Sequence, residues 1–324
     1  MTPANGKVGN FLRRKIKMSN DNNFVAATST STVMVGTHNG VFHADDVFSI
    51  ASLRLALGEI KIIRTRNPEV LMECDIRVDV GGKDFPDNGD FDHHQRGGAG
   101  FRENGIPYAS FGLIWKSFGL QISQGDKGVA DLVERNLVMP VDAGDCGHTF
   151  YEVNGGGVLP NTISNMISSL NPSWQEEGLN FDACFKQAVE MAEVLLRREI
   201  VKAQGEVLAR KVVREAISGA EDSRLVVLDR FCPWQEVVVT ESDALFVLFP
   251  APTGDWRIQC VPPTLGSFGK RKPLPEAWAG KRGEELAKMT GVVDAIFVHI
   301  GLFIGGAQSR EGILRLAELA LAAE

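Results

Sequence analysis

The positions of the histidines constrain the possible folds of this chain most. Four of the six histidines in its 324 residues fall in two short clusters rich in acidic residues. The first cluster covers residues 36–46 and the second covers residues 91–96. Imidazole and carboxylate groups together form a ligand set for a divalent metal ion. Both clusters lie where apolar runs end. The sequence therefore predicts a fold that gathers strand ends around a polar site.

Apolar runs alternate with helical patterns in the first two thirds of the chain. Runs at residues 33–36, 60–63 and 76–80 predict strands, and apolar residues at helical spacing over 45–57 predict a helix. Further helices are predicted near 68–73, 108–118, 126–138 and 161–169, and a long connector helix at 181–217. This alternation indicates an α/β fold with a mostly parallel N-terminal sheet flanked by helices.

The pattern changes after residues 219–222 to closely spaced apolar runs. We predict strands at 225–228, 237–239, 244–249, 256–261 and 295–298, a helix near 283–290, and a last helix from Ser309. These elements indicate a smaller C-terminal α/β domain. We therefore predict an N-terminal extension at 1–32, a metal-binding catalytic domain with its connector helix at 33–215, and a substrate-binding domain at 216–324.

Composition narrows the function classes. A net charge of −7 and a pI near 5.5 argue against a broad, unspecific nucleic-acid-binding surface. Five scattered cysteines without a C-x-x-C pair indicate reduced thiols in an intracellular compartment. No apolar run approaches the roughly 20 residues of a membrane-spanning helix, so we expect no membrane partner. The sequence does not indicate an oligomeric state.

The first 20 residues carry five basic residues and no acidic one. Two interpretations stay open for this extension: a disordered segment, or a mitochondrial-type presequence, which is basic, rich in hydroxyl groups and poor in acids.

The acidic residues at predicted strand ends suggest the metal ligands. His38, Asp79 and Asp142 each follow an apolar run, and the carboxyl ends of parallel neighbours converge on one sheet edge. The donors exceed what one ion needs, so we predict two ions that share a carboxylate. Asp46 and Asp145 are expected mainly to cap helices or to support ligands. The predicted ligands are His38, His43, Asp45, Asp79 as the bridge, His93 and Asp142.

The remaining site predictions concern substrate. Asp92 is predicted to orient a ligand and His94 to contact a phosphate group. In the C-terminal domain, the Gly305-Gly306 pair is predicted to form a turn with free N–H groups before the last helix. Arg310 would add a bidentate phosphate donor, and His299 ends the preceding strand. A plain strand-to-helix turn capped by Ser309 is the alternative.

The stretch Asp92-His93-His94 resembles the DHH phosphoesterase superfamily, two-domain hydrolases with a dimanganese centre. More closely, the chain resembles the melanocyte proliferating gene (MYG) exonuclease family. The stretches that carry this resemblance are 37–43, 64–66, 78–82, 92–96, 170–174, 232–234, 256–262, 296–299, 301, 303–306 and 310–312. The resemblance implies a metal-dependent 3′–5′ exonuclease that acts on RNA, with nuclear and mitochondrial roles.

Two departures from these patterns bear on the metal. His43 and Asp45 occupy positions where the DHH superfamily usually has two acids spaced D-x-D. Asp46 occupies a position where the MYG pattern usually has glutamate. The first departure changes one ligand type and thus bears on metal preference, whereas the second is chemically mild.

We interpret the chain as a metal-dependent phosphodiester hydrolase, a 3′–5′ exonuclease on RNA with a two-metal-ion mechanism. Mixed nitrogen and oxygen donors without thiolate favour Mn²⁺, with Mg²⁺ as the alternative. A hydrolase of small phosphates (pyrophosphate, oligophosphate or a bis-nucleotide) stays open, and the acidic pI favours it. A non-catalytic metal- or nucleic-acid-binding regulator is a third reading. The expected location is the mitochondrion or nucleus, with the cytoplasm as an alternative.

Overall fold

A computed structural model describes residues 32–149, 151–152, 156–178 and 180–323. Residues 1–31, which make up nearly all of the predicted extension, lie outside the described residues. The chain divides between Ala203 and Gln204 into two compact units. Among the described residues, no helix has the length and apolar character needed to cross a membrane.

The first unit contains a five-stranded sheet. Its strands are β1 (Val33–Thr37), β2 (Ile60–Arg64), β3 (Ile76–Val78), β4 (Asp84–Phe85) and β5 (Asp90–Phe91), in the order β2-β1-β3-β5-β4. All pairs are parallel except β4 with β5. The predicted mostly parallel sheet is therefore confirmed, and the carboxyl ends of β1, β3 and β5 are neighbours.

Helices pack around this sheet. They are α1 (Ala44–Leu57), α2 (Pro68–Met72), α3 (Ser110–Ile122), α4 (Lys127–Val133), α5 (Met139–Asp145), α6 (Ile163–Ser168) and α7 (Phe181–Ser218), with a π-helical turn at Glu134–Val138 between α4 and α5. Helix α1 packs on α3, where the buried rings of Phe48 and Phe111 stack 5.2 Å apart. Helix α2 lies close to β1 because residue 36 is glycine: a Cβ there would come within 2.7 Å of Leu71.

The second unit has a different kind of sheet. Its strands are β6 (Leu225–Val227), β7 (Phe246–Pro250), β8 (Trp256–Cys260), β9 (Ala295–Val298) and β10 (Ile304–Ala307), in the order β6-β7-β8-β10-β9. Only β6 with β7 is parallel. The helices of this unit are α8 (Gln235–Glu241), α9 (Gly283–Thr290) and α10 (Arg310–Ala322), with the C-terminal part of α7. A second α/β unit was predicted and is present.

One predicted strand and one predicted strand end are wrong, because both stretches are helical. The three valines at 237–239 favour a strand by propensity, yet they lie in helix α8. Val237 and Val238 are buried against Val226 and Val247 of the sheet, so packing overrides propensity. The apolar run before Asp142 is not a strand end either, because it belongs to helix α5.

Candidate metal centre

Three neighbouring strands bring polar residues to one sheet edge. His38 directly follows β1, Asp79 follows β3, and Asp92 follows β5. Because β1, β3 and β5 are parallel neighbours, these residues lie side by side. Nε2 of His38 lies 3.2 Å from Oδ2 of Asp79, and Nε2 of His93 lies 3.3 Å from Oδ1 of the same carboxylate. The predicted convergence at this edge is therefore present.

The start of helix α1 adds a second group of donors. Asp46 accepts a hydrogen bond from the backbone N–H of His43 (2.9 Å), which fixes the entry into the helix. The other oxygen of Asp46 lies 3.1 Å from Nε2 of His38. The carboxylate of the neighbouring Asp45 is also buried, and its Oδ2 lies 3.8 Å from Nε2 of His93. Asp46 thus caps the helix, as predicted, and also contacts the histidine cluster.

Helix α5 contributes Asp145 and not Asp142. Oδ2 of Asp145 lies 3.2 Å from Nε2 of His93. The carboxylate of Asp142 instead pairs with Arg102 (2.7 Å) and accepts the backbone N–H of Gly112 (3.0 Å) in the first turn of α3. That contact places a negative charge at a helix N-terminus, which is a stabilising arrangement.

Asp142 is therefore absent from the groups of three donors that the described residues form. Asp142 was predicted to be a metal ligand, but the structure places its carboxylate against Arg102 and Gly112 instead. Helix α5 turns Asp142 toward α3 and turns Asp145, three residues later, toward the histidines.

Four groups of potential ligands share members. In each group the donor atoms lie within 4.8 Å of one another. The groups are His38-His43-Asp79, Asp79-His93-His94, His93-Asp145-Cys146 and His43-Asp45-Asp145. We call these eight residues the His/Asp cluster. Asp79 belongs to two groups, each with two imidazoles, and this is the arrangement expected of a carboxylate between two cation positions.

The charged groups in the His/Asp cluster shift one another's pKa values strongly. Burial alone lowers the pKa of His38, but the carboxylates of Asp46 and Asp79 outweigh it and raise that pKa to about 10. His93 behaves alike, because Asp145 and Asp79 raise its pKa far above the ordinary value despite burial. Burial and the neighbouring Asp79 and Asp145 raise the pKa of Asp45 well above its ordinary value. Several acids this close and this buried call for positive charge among them.

One buried acid shows that a cation fits. Both carboxylate oxygens of Asp45 are buried, and neither has a hydrogen-bond partner among the described residues. A buried carboxylate without a hydrogen bond is costly, and coordination to a metal ion is one of the ways proteins compensate for it. The oxygen and imidazole donors suit a divalent ion of hard or borderline character. The residues present therefore fit a divalent metal centre.

The backbone at Asp79 is unusual. Its φ of 55° lies in the left-handed region, and the next two glycines, Gly81 and Gly82, have φ of 102° and 68°. For a residue other than glycine such a conformation costs about 1–3 kcal/mol. It ends β3 abruptly, and Ser110 donates a hydrogen bond to Oδ1 of Asp79 (3.1 Å). Strain of this kind concentrates at functional sites.

Asp92 holds His94 in place. One oxygen of Asp92 accepts the backbone N–H of His94 (3.1 Å) and lies 2.8 Å from its Nδ1, while the other accepts the N–H of Gly82 (2.5 Å). Asp92 is buried, whereas the side chain of His94 is 62% exposed. The residue that Asp92 orients is therefore His94, the predicted phosphate contact, and not one of the predicted metal ligands. His94 has the accessibility that contact with a substrate requires.

The predicted substrate residues of the second unit have different surroundings. Gly305 and Gly306 lie inside strand β10, which pairs with β8 on one side and β9 on the other. Their backbone groups serve the sheet, so the predicted turn with free N–H groups is wrong. The turn follows instead at Ser309, which caps α10 by accepting the N–H of Gly312 (3.0 Å).

Arg310 and His299 are both exposed. The guanidinium carbon of Arg310 lies 5.9 Å from the ring centroid of Trp256. Nδ1 of His299 accepts the N–H of Gly301 (2.9 Å). Both side chains present polar groups to solvent, and their predicted roles in substrate binding stay predictions.

Three further residues at the His/Asp cluster were missed as site residues. The exposed Arg66 has Nη2 3.2 Å from Nδ1 of His38 and brings a positive charge to the cluster. Sγ of Cys146 lies 3.7 Å from Nδ1 of His93. Asn171 forms two hydrogen bonds with the main chain of Phe42. Residues 64–66 and 170–174 could have been singled out, because both stretches carried the family resemblance.

The fold and the His/Asp cluster define an α/β protein with a candidate divalent metal centre at the carboxyl edge of a mostly parallel sheet. A family model described as an uncharacterised protein family (UPF0160), that of the MYG1 exonucleases, matches residues 34–321. The chain belongs to this family.

Named relatives extend over most of the chain. The MYG1 exonuclease of Homo sapiens is 37% identical over 89% of this chain and 85% of its own length. A MYG1 protein of Saccharomyces cerevisiae is 34% identical over 92% of this chain and 98% of its own length. No solved structure matches. Family membership supports a nuclease or phosphoesterase function.

Proposed function

We propose that this chain is a metal-dependent 3′–5′ exonuclease that acts on RNA and uses two divalent cations, Mn²⁺ in preference to Mg²⁺. One observation carries the proposal: Asp79 is shared by two groups of imidazole and carboxylate donors at a single sheet edge. The relative from Homo sapiens is named an exonuclease, in agreement with this assignment.

In this proposal the cations are held by six residues of the His/Asp cluster together with Asp46, which contacts His38. The six are His38, His43, Asp45, Asp79, His93 and Asp145. When bound, such ions activate water and neutralise the charge that develops on a phosphoryl group. Asp142 has no part in this set, because its carboxylate already pairs with Arg102 and the N–H of Gly112.

Residues of the chain itself supply orientation and charge. Asp92 fixes the ring of His94 by accepting its Nδ1–H, and leaves the exposed part of the ring to contact a phosphate group. Arg66, whose guanidinium contacts Asn39 and His38, adds a positive charge that attracts phosphate. Ser110 keeps the Asp79 carboxylate in its position by a hydrogen bond to Oδ1. These groups hold the phosphate close to the donors of the His/Asp cluster.

The test is cleavage of a single-stranded RNA labelled at its 5′ end, in Mn²⁺ and separately in Mg²⁺. We expect a ladder that shortens by one nucleotide at a time, and no shortening with chelator. A matched control is Asp79→Asn, which retains size but removes the shared charge. A ladder that shortens from the opposite end, shown with 3′-labelled RNA, would contradict the direction.

A hydrolase of small phosphates is the second candidate, favoured by the net charge of −7. The same preparation is therefore offered inorganic pyrophosphate and a bis-nucleotide. Turnover of these compounds alone would replace the exonuclease proposal with this one. Metal binding without turnover of any of these compounds would favour a regulator.

A further inference from the structure

Trp174 is the most exposed of the five tryptophans. Its side chain is 91% exposed, whereas Trp115, Trp234 and Trp278 are at most 6% exposed and Trp256 is partly buried. A tryptophan normally buries most of its large apolar surface. An indole left almost entirely in water is therefore a ready surface for a flat apolar partner.

The loop that carries Trp174 is fixed to the His/Asp cluster. Asn171 accepts the backbone N–H of Phe42 (3.0 Å) and donates to its carbonyl oxygen (2.9 Å). The residue after Phe42 is His43, a member of the cluster. Only Pro172 and Ser173 separate Asn171 from Trp174, so the Cα atom of Trp174 lies within about 11 Å of the Cα atom of this anchor.

Two further contacts make the loop rigid. Its preceding helix α6 buries Ile167 and packs against α1 and α5, the helices that carry Asp45 and Asp145. Beyond Asn171, Ser173 and Glu176 close a tight turn: the N–H of Glu176 donates to the carbonyl of Ser173 (3.0 Å), and the N–H of Ser173 donates to the Glu176 carboxylate (2.7 Å). Trp174 is therefore exposed on an anchored turn.

We propose that Trp174 is a base-stacking site for the nucleotide whose phosphate lies at the His/Asp cluster. An indole stacks on the face of any nucleobase, and such stacking tolerates all base identities. A single exposed ring on a loop anchored next to His43 can contact one base at a strand end, whereas inorganic pyrophosphate has no base to stack on it. This inference rests on the proposed exonuclease function and names the part of the substrate recognised beyond its phosphate.

The experiment measures binding of a short oligoadenylate to the full chain by fluorescence anisotropy, with Trp174→Ala and Trp174→Phe as variants. Removing one stacking ring weakens single-strand binding by roughly 5- to 150-fold. We expect a loss in that range for Trp174→Ala and substantial rescue by Trp174→Phe. Phe268→Ala is the matched control, because Phe268 is also fully exposed but lies in the second unit.

Intrinsic fluorescence gives a second readout. Stacking of adenine on the exposed indole is expected to quench the wild-type emission, and Trp174→Phe should remove that quenching. Inorganic pyrophosphate should inhibit RNA shortening by wild type and by Trp174→Ala to the same extent. If it is hydrolysed, both proteins should hydrolyse it at the same rate. A matched melting temperature for all variants excludes misfolding, since the indole makes little packing contact.

Outcomes separate the two proposals. Equal oligoadenylate affinity in wild type and Trp174→Ala, with RNA shortening intact, overturns the stacking site alone. Failure of the wild-type chain to bind or shorten RNA overturns both the stacking site and the exonuclease function.

Discussion

The two sheets differ in how their strand ends relate to the predicted site. In the first unit, β1, β3 and β5 run parallel, so the residues after them, His38, Asp79 and Asp92, lie on one edge. In the second unit, β7, β8, β10 and β9 alternate in direction, and consecutive strand ends lie on opposite edges. Predicting that the residues after successive strands lie together is therefore correct for the first sheet and incorrect for the second.

Glycine shows the same contrast. Gly81 and Gly82 adopt positive φ in a true turn after Asp79, where their freedom is required. Gly305 and Gly306 instead lie within strand β10, where neighbouring groups leave little room for a Cβ. A Cβ on Gly306 would lie 2.8 Å from the guanidinium of Arg257. A pair of glycines thus marks a turn in one unit and crowded sheet packing in the other.

The largest effect should come from the first unit, at Asp79. Asp79→Ala removes the carboxylate shared by two donor groups and leaves His38 and His93 without their common partner. Loss of a residue that merely supports a metal ligand costs about 10- to 100-fold, so loss of this shared ligand should exceed 100-fold in kcat. Single-turnover RNA cleavage and metal analysis measure it. Wild-type metal content in Asp79→Ala would show that the shared position is not a ligand.

A second comparison sharpens the assignment within helix α5. Asp145→Asn alters a proposed ligand and is expected to weaken metal binding by more than about 10-fold, measured by competition with a chromogenic chelator. Asp142→Asn should leave metal affinity unchanged but lower stability, because it breaks a buried pair with Arg102, a loss of up to about 3–5 kcal/mol in urea unfolding. The reverse pattern would restore Asp142 as the ligand.

These two aspartates show how far sequence reasoning reaches. The edge of the sheet, the paired histidines and Asp79 were predictable, because Asp79 directly follows β3 and the histidines come within three residues of the end of β5. Asp142 and Asp145 sit in the same short stretch, and only the rotation of helix α5 against α3 decides which one faces the histidines. That rotation depends on the Arg102 and Gly112 contacts, which lie 40 and 30 residues away in sequence.

Proton release offers a test of the cluster that needs no substitution. The carboxylates around His38 raise its pKa to about 10, so without metal this imidazole is protonated at neutral pH. A protonated imidazole cannot ligate, and metal uptake must therefore release a proton. Below the raised pKa, apparent metal affinity should rise about tenfold per pH unit for each proton displaced.

Calorimetry in buffers of different ionisation enthalpy counts the protons released, and Mn²⁺ titrations from pH 6 to 8 give the affinity. His299, in the second unit, has no carboxylate within ion-pair distance among the described residues, and His299→Gln is therefore the control. A pH-independent affinity in the wild-type chain would contradict the assignment of His38 as a ligand.

The smallest effect is expected at Arg310, which tests whether the second unit binds substrate phosphate. The guanidinium is exposed and lies over Trp256, so its removal should not disturb metal uptake in the first unit. Lysine keeps the charge but cannot reproduce two parallel hydrogen bonds to phosphate. Arg310→Lys should lower kcat/KM for RNA about tenfold, equal to about 1.4 kcal/mol and close to one charge-assisted hydrogen bond. Arg315→Lys, on the same helix but paired with Glu318, is the control. Unchanged kinetics in both Arg310→Lys and Arg310→Ala would leave Ser309 and Arg310 as the ordinary start of helix α10, and would confine substrate recognition to the parallel sheet.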